Sequence, residues 1–544
     1  MDRTLLAAVL WAAATSACGG DESETTPEPC LPPHRVVGER CLAPGQADDG
    51  CPAGTLGTPE GSCRPAGMLP EDCAEGFMHV PFAVPADDPL AGAGSCEPVL
   101  PAEPCPLGLM AVPGDTECRQ VMACGSGPWG DIPVDGSTHH VDQTFTGASD
   151  GSSQAPWTTI GEAVAAAPPG GLIAIAAGSY HEDLLIYGKP LRLWGACPSE
   201  VEIVGIGDEP AAIIIWSGAS GTEVRGLAIR GPGIGLALSG SDDVLLDQLW
   251  IHDNAWRGVN AGSNEAATTS CTLRSSLVEG NHGIGVYVGA ATVSVESTVV
   301  RDTLPNSQGL FGRGIQVQFG QIVAVPGVAT VRRSLLERNV EAGVSVMAAQ
   351  ASVETTVVRE TQPSVEGLLG RGISFGHAEG PASGNVSACL VADNHDIGLA
   401  VSGSLVTVET TVVRGTRGEA QGFWGRGVTV QNDPVTQVSA VATLRGLLVE
   451  HNRAFGVVIS GSEATVESVV VRATSLSGAG VYGRGINIQP DADTGLPAAA
   501  TLRGTWVGLN HDAAVLVAGS VAALESCRLV GTQTDGAGLY GDGL

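Results

Sequence analysis

The stretch Thr298-Val-Val-Arg301, followed by Gly312-Arg-Gly314, decides the fold because it returns three times further along the chain. The copies are Thr356-Val-Val-Arg359 with Gly370-Arg-Gly372, Thr411-Val-Val-Arg414 with Gly425-Arg-Gly427, and Val469-Val-Val-Arg472 with Gly483-Arg-Gly485. Successive copies lie 58, 55 and 58 residues apart. Self-similarity at a nearly fixed period is the signature of a repeat architecture.

Each long repeat contains two shorter coils. An asparagine follows the apolar segment of one coil, and a threonine follows that of the next coil, always 22 residues later. The pairs are Asn281 and Thr303, Asn339 and Thr361, Asn394 and Thr416, Asn452 and Thr474, and Asn510 and Thr532. The return steps are 36 or 33 residues, so every second coil carries up to 14 additional residues.

A coil of 22 residues with short runs of Val, Ile and Leu is too short for a strand–helix–strand unit. It cannot bury its apolar face alone, but about thirteen stacked coils would share one continuous core. We expect the asparagines to occupy left-handed turn positions and their amides to stack as a structural ladder. His282, His395 and His511 each follow a ladder asparagine, and we interpret them as turn residues.

The start of the repeat region carries the signals of a cap. Thr159-Ile-Gly-Glu162 has capping-box spacing, which predicts a helix over about 159–167 that ends at Pro168-Pro169. Residues 150–205 resemble the N-terminal cap and first coils of pectin-lyase-like proteins. The resemblance implies an all-β fold in which residues 150–544 form a right-handed parallel β-helix. That fold does not specify an activity, because lyases, hydrolases, epimerases and adhesins all share it. Leu544 falls in mid-coil, so we expect no C-terminal cap in this sequence.

The N-terminus is typical of an exported protein. Residues 1–17 combine Arg3, an apolar run and a small-residue end, which predicts a signal peptide. Ala17-Cys18 resembles a bacterial lipoprotein signal, which implies lipidation of Cys18 and a tether over 18–29. We therefore expect a lipoprotein anchored in the outer membrane or at the cell surface. The alternative is ordinary cleavage after Ala17 and free secretion.

Ten of the 14 cysteines lie in the first 124 residues, which is typical of an oxidising compartment. Over 30–124 they form short brackets, and we expect a disulfide within each. The brackets are Cys30 with Cys41, Cys51 with Cys63, Cys73 with Cys96, and Cys105 with Cys118, while Cys124 is left to pair with Cys197. A zinc site would need CxxC pairs and more histidines, so we expect no metal here. Residues 125–149 are assigned to a linker.

The formal charge of −31 disfavours nucleic acid and anionic lipid as partners. A sugar chain is the ligand that the inserted loops favour. Each loop ends in an apolar or aromatic residue, Gly and Arg, and because the loops have equal lengths they should stack. The candidate ligand-binding residues are Phe311, Arg313, Arg371, Trp424, Arg426, Tyr482 and Arg484.

Aromatic faces beside guanidinium groups suit a polysaccharide along the rod, above all an acidic one. In the alternative, the apolar residue pins each loop to its coil. The arginines would then pair with a recurrent glutamate, at Glu296, Glu354, Glu409, Glu467 and Glu525.

Evidence for catalysis is weak. Asp242-Asp243 and Asn281-His282-Gly283 are similar to two polygalacturonase motifs, but the Asn-Thr-Asp and Arg-Ile-Lys motifs are missing. Asp491-Ala-Asp493-Thr-Gly495 resembles the first half of a calcium loop, and a solvated turn is the competing interpretation. No catalytic residue and no cofactor are therefore assigned.

The sequence thus predicts a cell-surface protein with a disulfide-stapled stalk and a β-helix rod that binds polysaccharide or another cell-envelope component. The alternatives are a polysaccharide lyase or glycoside hydrolase, or a purely structural surface protein.

Overall fold

Three long parallel sheets make up most of the molecule in the computed structural model. The structure describes residues 35–37, 40–42, 50–57, 62–418 and 424–544. In this part of the chain the sheets contain fifteen, fourteen and thirteen strands, which we call sheets 1, 2 and 3. The sheet 1 strands are His139–Val141, Leu172–Ile175, Arg192–Gly195, Glu223–Arg225, Val244–Asp247, Ser270–Arg274, Thr292–Glu296, Val328–Arg332, Gln350–Glu354, Ser383–Ser387, Leu405–Glu409, Val441–Arg445, Glu463–Glu467, Ala499–Arg503 and Val521–Glu525.

In each complete coil, a strand of sheet 2 and then a strand of sheet 3 follow the strand of sheet 1. The sheet 2 strands are Gly178–His181, Val201–Val204, Ala228–Arg230, Trp250–His252, Leu277–Glu279, Val299–Arg301, Leu335–Glu337, Val357–Arg359, Leu390–Ala392, Val412–Arg414, Leu448–Glu450, Val470–Arg472, Trp506–Gly508 and Arg528–Val530. The sheet 3 strands are Leu184–Ile186, Ala211–Trp216, Ile234–Ser239, Arg257–Gly262, Ile284–Gly289, Arg313–Gln318, Ala342–Met347, Arg371–Gly376, Ile397–Ser402, Gly425–Gln431, Ala454–Ser460, Arg484–Gln489 and Val515–Val517.

Each strand pairs in parallel with the equivalent strand one coil later, so Val300 faces Leu336 and Leu336 faces Val358. The inward side chains of all three sheets form one continuous core of Val, Ile, Leu and Ala. The predicted right-handed parallel β-helix is confirmed. It has the architecture of the pectin-lyase-like proteins that residues 150–205 resemble. Helix Ile160–Ala166 lies at the start of the rod and has Thr159 as its N-cap, in a capping box with Glu162.

The asparagines form a buried ladder, but its bonding differs from the prediction. Asn394 accepts a hydrogen bond from the backbone N–H of Thr361 (3.0 Å) and donates one to the carbonyl of Val358 (3.1 Å). The ladder residues from Asn339 to Asn510 therefore bind the backbone of the preceding coil, and the amide–amide bond that we expected joins Asn254 to Asn281 (2.8 Å). The left-handed position belongs to the residue before each asparagine, for example Asp393 with φ 55°. In that conformation a short turn aims the next side chain into the rod.

The cysteine-rich region is not a stalk. The strap, as we call residues 50–57 and 62–124, lies along sheet 2 and runs in the opposite direction to the coils. Its contacts with the rod, from its start to its end, are Gly54 N–H to the Ser526 carbonyl, Gly67 N–H to the Ser468 carbonyl, Glu97 to Arg414, Gly108 N–H to Glu279, and the disulfide Cys124–Cys197. The predicted disulfides Cys51–Cys63, Cys73–Cys96 and Cys105–Cys118 are also confirmed. The predicted pair Cys30–Cys41 lies outside the described residues, as do Cys18 and the predicted signal peptide.

The strap contains three short antiparallel hairpins and a 3-10 turn at Pro70–Asp72. The hairpins are Thr55–Gly57 with Cys63–Pro65, Phe77–Pro81 with Gly94–Pro98, and Leu109–Met110 with Arg119–Gln120. A further hairpin, Arg35–Val37 with Arg40–Leu42, precedes the strap in sequence. The strap's buried Met68, Leu90 and Met110 belong to a second apolar cluster. The rod contributes outward-facing side chains of sheet 2 to this cluster, among them Leu277, Val299, Leu335, Val357, Leu390, Val412, Leu448, Val470 and Trp506. Sheet 2 is therefore covered on both faces.

Residues 125–149 do not behave as the linker that we predicted. They include the strand His139–Val141, which pairs in parallel with residues 173–175 of sheet 1. The rod therefore begins before residue 150. This strand is only three residues long and contains two histidines, so it carries little strand signal in sequence. Among the described residues, the structure contains no helix that is long and apolar enough to cross a membrane.

Candidate functional site

The inserted loops connect sheet 2 to sheet 3, and four of them share a backbone feature. In these four, the residue before the Gly-Arg or Gly-Asp pair has a positive φ, at Phe311 (67°), Leu369 (63°), Tyr482 (65°) and Tyr540 (64°). Such values are uncommon for bulky side chains and carry a cost of roughly 1–2 kcal/mol. The loops also touch along the rod, since the N–H of Gly536 donates to the carbonyl of Gly480. The predicted stacking in register is confirmed for these two loops.

The loop arginines are held by acidic residues of the next coil. Arg313 lies 3.0 Å from Glu341, Arg371 lies 2.9 Å from Asp396, and Arg484 lies 2.6 Å from Asp512. Each acid comes two residues after a ladder asparagine. The glutamates that we expected instead lie on the outer face of sheet 1, where Glu354 pairs with Arg332 and Glu467 pairs with Arg445. That part of the alternative interpretation is wrong because the loops and these glutamates emerge on different sheets.

Three aromatic loop residues, Phe311, Trp424 and Tyr482, each pack against the arginine of the same loop. The guanidinium carbon lies 5.1 Å from the ring centre in Arg313–Phe311, 4.8 Å in Arg426–Trp424 and 5.1 Å in Arg484–Tyr482. These are cation–π distances. The rings are not buried, and Phe311 is 37% exposed. The loops therefore present partly exposed rings that arginines hold in place.

The structure brings four of the seven predicted residues together. Trp424 and Tyr482 stack with centres 6.1 Å apart, and Arg426 and Arg484 line the same groove. Phe311 and Arg313 belong to a coil that lies four strands of sheet 3 away from the coil of Arg426, a distance of about 19 Å at 4.8 Å per strand. Arg371 is two strands, or roughly 10 Å, from Arg426. The rings therefore do not form the continuous column that we expected, and two of them, Trp424 and Tyr482, cluster at one place on the rod.

Phe455 is a member of this site that the sequence did not reveal. Its ring centre lies 6.0 Å from that of Trp424 and 5.2 Å from that of Tyr482. It lies on the intervening coil, which has no inserted loop, and occupies the strand position of Arg426 in the coil before. Comparison of Ala454-Phe-Gly456 with Gly425-Arg-Gly427 would have placed Phe455 next to the two arginines.

The groove, as we call this cavity on the outer face of sheet 3, has a volume of about 670 Å³. Besides the three rings and the two arginines it is lined by amides and acids, namely Gln431, Asn432, Asn487, Gln489, Asp491 and Asp493. Asn432 is 2% exposed, and neither polar atom of its side chain has a hydrogen-bond partner in the described part of the chain. Aromatic surface with a few convergent polar groups is typical of a small-molecule or sugar site.

The loop that resembles a calcium site is a hydrogen-bonded turn. Oδ1 of Asp491 accepts from the N–H and the hydroxyl of Thr494, both at 2.8 Å, and from the N–H of Asp493. Burial raises the pKa of Asp491, but these bonds, with a smaller contribution from the Asn432 amide, outweigh it and hold the pKa below its ordinary value. Asp433 makes the same turn with Thr436 two coils earlier. The carboxylate oxygen is thus committed to turn formation in both copies.

The remaining candidates lie elsewhere. Nδ1 of His282, His395 and His511 each lies within 3.1 Å of a backbone carbonyl, which is consistent with turn residues. Asp242 accepts from the Thr268 hydroxyl. Among the described residues, one group of three side chains is close enough to share a metal ion, Cys124, Cys197 and Glu200. Its two cysteines form a disulfide, so they do not offer thiolate ligands.

Comparison with known proteins gives a likeness of fold alone. No protein-family model matches the sequence, and no curated protein is significantly similar to it. A catalytic domain of a GH87 α-1,3-glucanase in complex with nigerose matches with 13% identity over 76% of this chain and 71% of that chain, at a TM-score of 0.40. The A-module of an Azotobacter vinelandii mannuronan C-5 epimerase matches with 15% identity, 69% and 92% coverage and a TM-score of 0.36. Pectate lyase Pel9A matches with 14% identity, 57% and 76% coverage and a TM-score of 0.36.

Proposed function

We propose that this chain is an exported, surface-anchored protein that binds polysaccharide in the groove on sheet 3. The observation that carries the proposal is the cluster of Trp424, Phe455 and Tyr482, whose ring centres lie within 6.1 Å of one another above a polar floor. The apolar face of a sugar ring packs well on such rings, and its hydroxyls suit the surrounding amide and guanidinium groups.

The backbone sets the direction of the Tyr482 ring. Its positive φ costs free energy, and strain of this kind persists where the surrounding structure requires it. Here it directs the ring toward Phe455 and the groove. Tyr540 has the same φ outside the groove, so the loop determines the backbone conformation and the neighbouring Phe455 and Trp424 make the Tyr482 ring part of the site.

The acidic residues favour binding over hydrolysis. Glycoside hydrolysis generally needs carboxyl groups on both sides of the scissile bond, with one raised in pKa to act as an acid. Asp491 and Asp493 belong to a single turn, and hydrogen bonds lower the pKa of Asp491. This arrangement supports a carbohydrate-binding protein more than a glycosidase.

The anchoring half of the proposal is supported by sequence. Ala17-Cys18 and the polar segment 19–29 are typical of a lipoprotein signal and its tether, and the disulfides of the strap are typical of an oxidising compartment.

Isothermal titration calorimetry with a panel of cell-wall and capsular oligosaccharides tests the binding function. We expect Trp424→Ala and Tyr482→Ala each to weaken binding by at least tenfold, which is within the range of about 1–3 kcal/mol that an aromatic side chain contributes when a nucleic-acid base stacks on it. Unchanged binding in both variants would contradict the proposal.

Tyr540→Ala is the matched control. Tyr540 occupies the same loop position with the same φ, but Asp542 replaces the arginine and the ring is 67% exposed outside the groove. We expect this variant to bind like the unaltered protein. A loss equal to that of Tyr482→Ala would indicate a general effect of the loops.

A further inference from the structure

The groove contains an unsatisfied buried amide, and this feature points to the class of sugar. Asn432 leaves sheet 3 at the floor of the groove, and both its Oδ1 and its Nδ2 are buried without a hydrogen-bond partner. The amide lies beside the Asp491 carboxylate and contributes to its lowered pKa, but the contact does not have hydrogen-bond geometry. A buried polar group that lacks its bonds destabilises the free protein, so it calls for a partner that enters from outside.

An amide offers one donor and one acceptor side by side. Two neighbouring hydroxyl groups of a sugar present the complementary pair, because each hydroxyl both donates and accepts. A carboxylate ligand could use only the nitrogen and would leave Oδ1 unsatisfied.

The charges at this end of the groove also favour an uncharged ligand. Asp491 and Asp493 line it next to Asn432, and Asp493 is exposed. On the other side the Arg484 guanidinium is already bound to Asp512 (2.6 Å) and to the amide oxygen of Asn487 (2.9 Å). An anionic sugar would therefore meet Arg426, two carboxylates and an arginine whose charge is already paired, within a protein whose formal charge is −31.

We infer that the groove selects an uncharged sugar, with the partly exposed rings of Trp424 and Tyr482, backed by the buried Phe455, on its apolar face and the Asn432 amide on a pair of adjacent hydroxyls. This inference rests on the proposed function and sharpens it, because the arginine-rich loops by themselves suggest an acidic glycan. Asn432 is then a specificity-determining residue that is kept polar at a cost in stability.

Asn432→Leu separates recognition from structure. Leucine has a similar shape and removes the unsatisfied amide, so we expect the thermal unfolding midpoint to stay equal or to rise. Affinity for neutral hexasaccharides of glucose, galactose or mannose should fall at least tenfold, as measured by calorimetry.

Thr429→Val is the matched control. The Thr429 hydroxyl is also buried without a partner in the described chain, but Thr429 does not line the groove. We expect this variant to gain stability and to keep full affinity.

The possible outcomes test the selection of an uncharged sugar separately from the proposed binding function. Binding of neutral hexasaccharides at least tenfold tighter than that of hexuronates, together with the loss in Asn432→Leu, supports the inference. Equal or tighter binding of hexuronates, or unchanged affinity in Asn432→Leu, overturns the inference while the proposed function stands. If no sugar in the panel binds the unaltered protein, the proposed function fails as well.

Discussion

The guanidinium of Arg301 lies 2.6 Å from the carboxylate of Glu279, and the side chains of both are 2% exposed. The pair is sealed between sheet 2 and the strap. Arg301 also donates to the backbone carbonyls of Cys105, Pro106 and Leu109 at 2.9–3.0 Å. One side chain thus joins two adjacent coils and the strap.

Replacement of this arginine should destabilise the protein strongly. In Arg301→Ala, Glu279 keeps a buried charge without its partner and three strap carbonyls lose their donor. We expect the free energy of unfolding to fall by about 3–5 kcal/mol. Urea unfolding followed by circular dichroism measures the change.

Arg332→Ala is the control for that measurement. Arg332 makes the equivalent coil-to-coil pair with Glu354 on sheet 1, but its side chain is 56% exposed. Exposed pairs contribute up to about 1 kcal/mol. Equal losses in the two variants would mean that the strap does not bury Arg301 in solution.

The apolar outer face of sheet 2 should tolerate no charge. Val357 is fully buried beneath the strap, so Val357→Asp introduces a charge with no partner. We expect a loss of at least about 3 kcal/mol, or no folded protein. Val441 is the corresponding test on sheet 1, where it is an outward strand residue that is 44% exposed, and Val441→Asp should cost little in the same urea experiment.

The repeat could be predicted because it depends on the local sequence of each coil. Each coil needs apolar residues at strand positions and Asn or Thr at the turn, and these recur at steps of 22 residues alternating with 33 or 36, regardless of what lies outside the rod. The docking of the strap depends on contacts such as Glu97–Arg414, between residues 317 positions apart, which no local pattern encodes. A signal was nevertheless present: Val299 and Val300 are adjacent and face opposite sides of the strand. A strand that is apolar on both faces is typically covered on both.

The candidate site was predictable in part for the same reason. Trp424, Arg426, Tyr482 and Arg484 belong to the repeated loops, so their position in register follows from loop length. Phe455 and Asn432 were missed because they interrupt the repeat. Phe455 takes the position that an arginine occupies in the coil before, and the other coils have no asparagine at the position of Asn432. The partners of the arginines were predicted wrongly because a glutamate near in the repeat, such as Glu409, emerges on another sheet.

The disulfide Cys73–Cys96 should hold the central part of the strap on the rod. Its 23-residue separation corresponds to about 3 kcal/mol of restricted chain entropy in the unfolded state. In a Cys73→Ser, Cys96→Ser variant we expect limited proteolysis to cut the strap over 74–95 while the rod stays intact. Fluorescence of a hydrophobic dye should rise as the outer face of sheet 2 becomes accessible. Cutting within the rod at the same rate would contradict this order of stability.

Lipidation is predicted to depend on a single residue. In Cys18→Ala the acceptor thiol is lost, so we expect the protein to move from the membrane fraction to the soluble exported fraction in a bacterial host. Metabolic labelling with an alkyne fatty acid should mark the unaltered protein and not the variant. Cys527→Ala serves as the control because that thiol lies in the rod and should leave both labelling and fractionation unchanged.

The strap should loosen in acid through Glu97. Burial raises the pKa of this carboxyl, but hydrogen bonds from Arg414 and Ser95 and the charge of Arg414 outweigh burial and lower the pKa below its ordinary value near 4.5. A carboxyl with a lowered pKa stabilises the folded state above its ordinary pKa, and this contribution is lost as the pH falls through the lowered value. The protection of the backbone amides in the hairpin Phe77–Pro81 with Gly94–Pro98, measured as hydrogen exchange relative to the unfolded chain at the same pH, should therefore fall below about pH 4.5. Glu97→Gln, which cannot titrate, should exchange faster at neutral pH and respond less to acid; an unchanged acid response in this variant would assign the effect to other carboxyl groups.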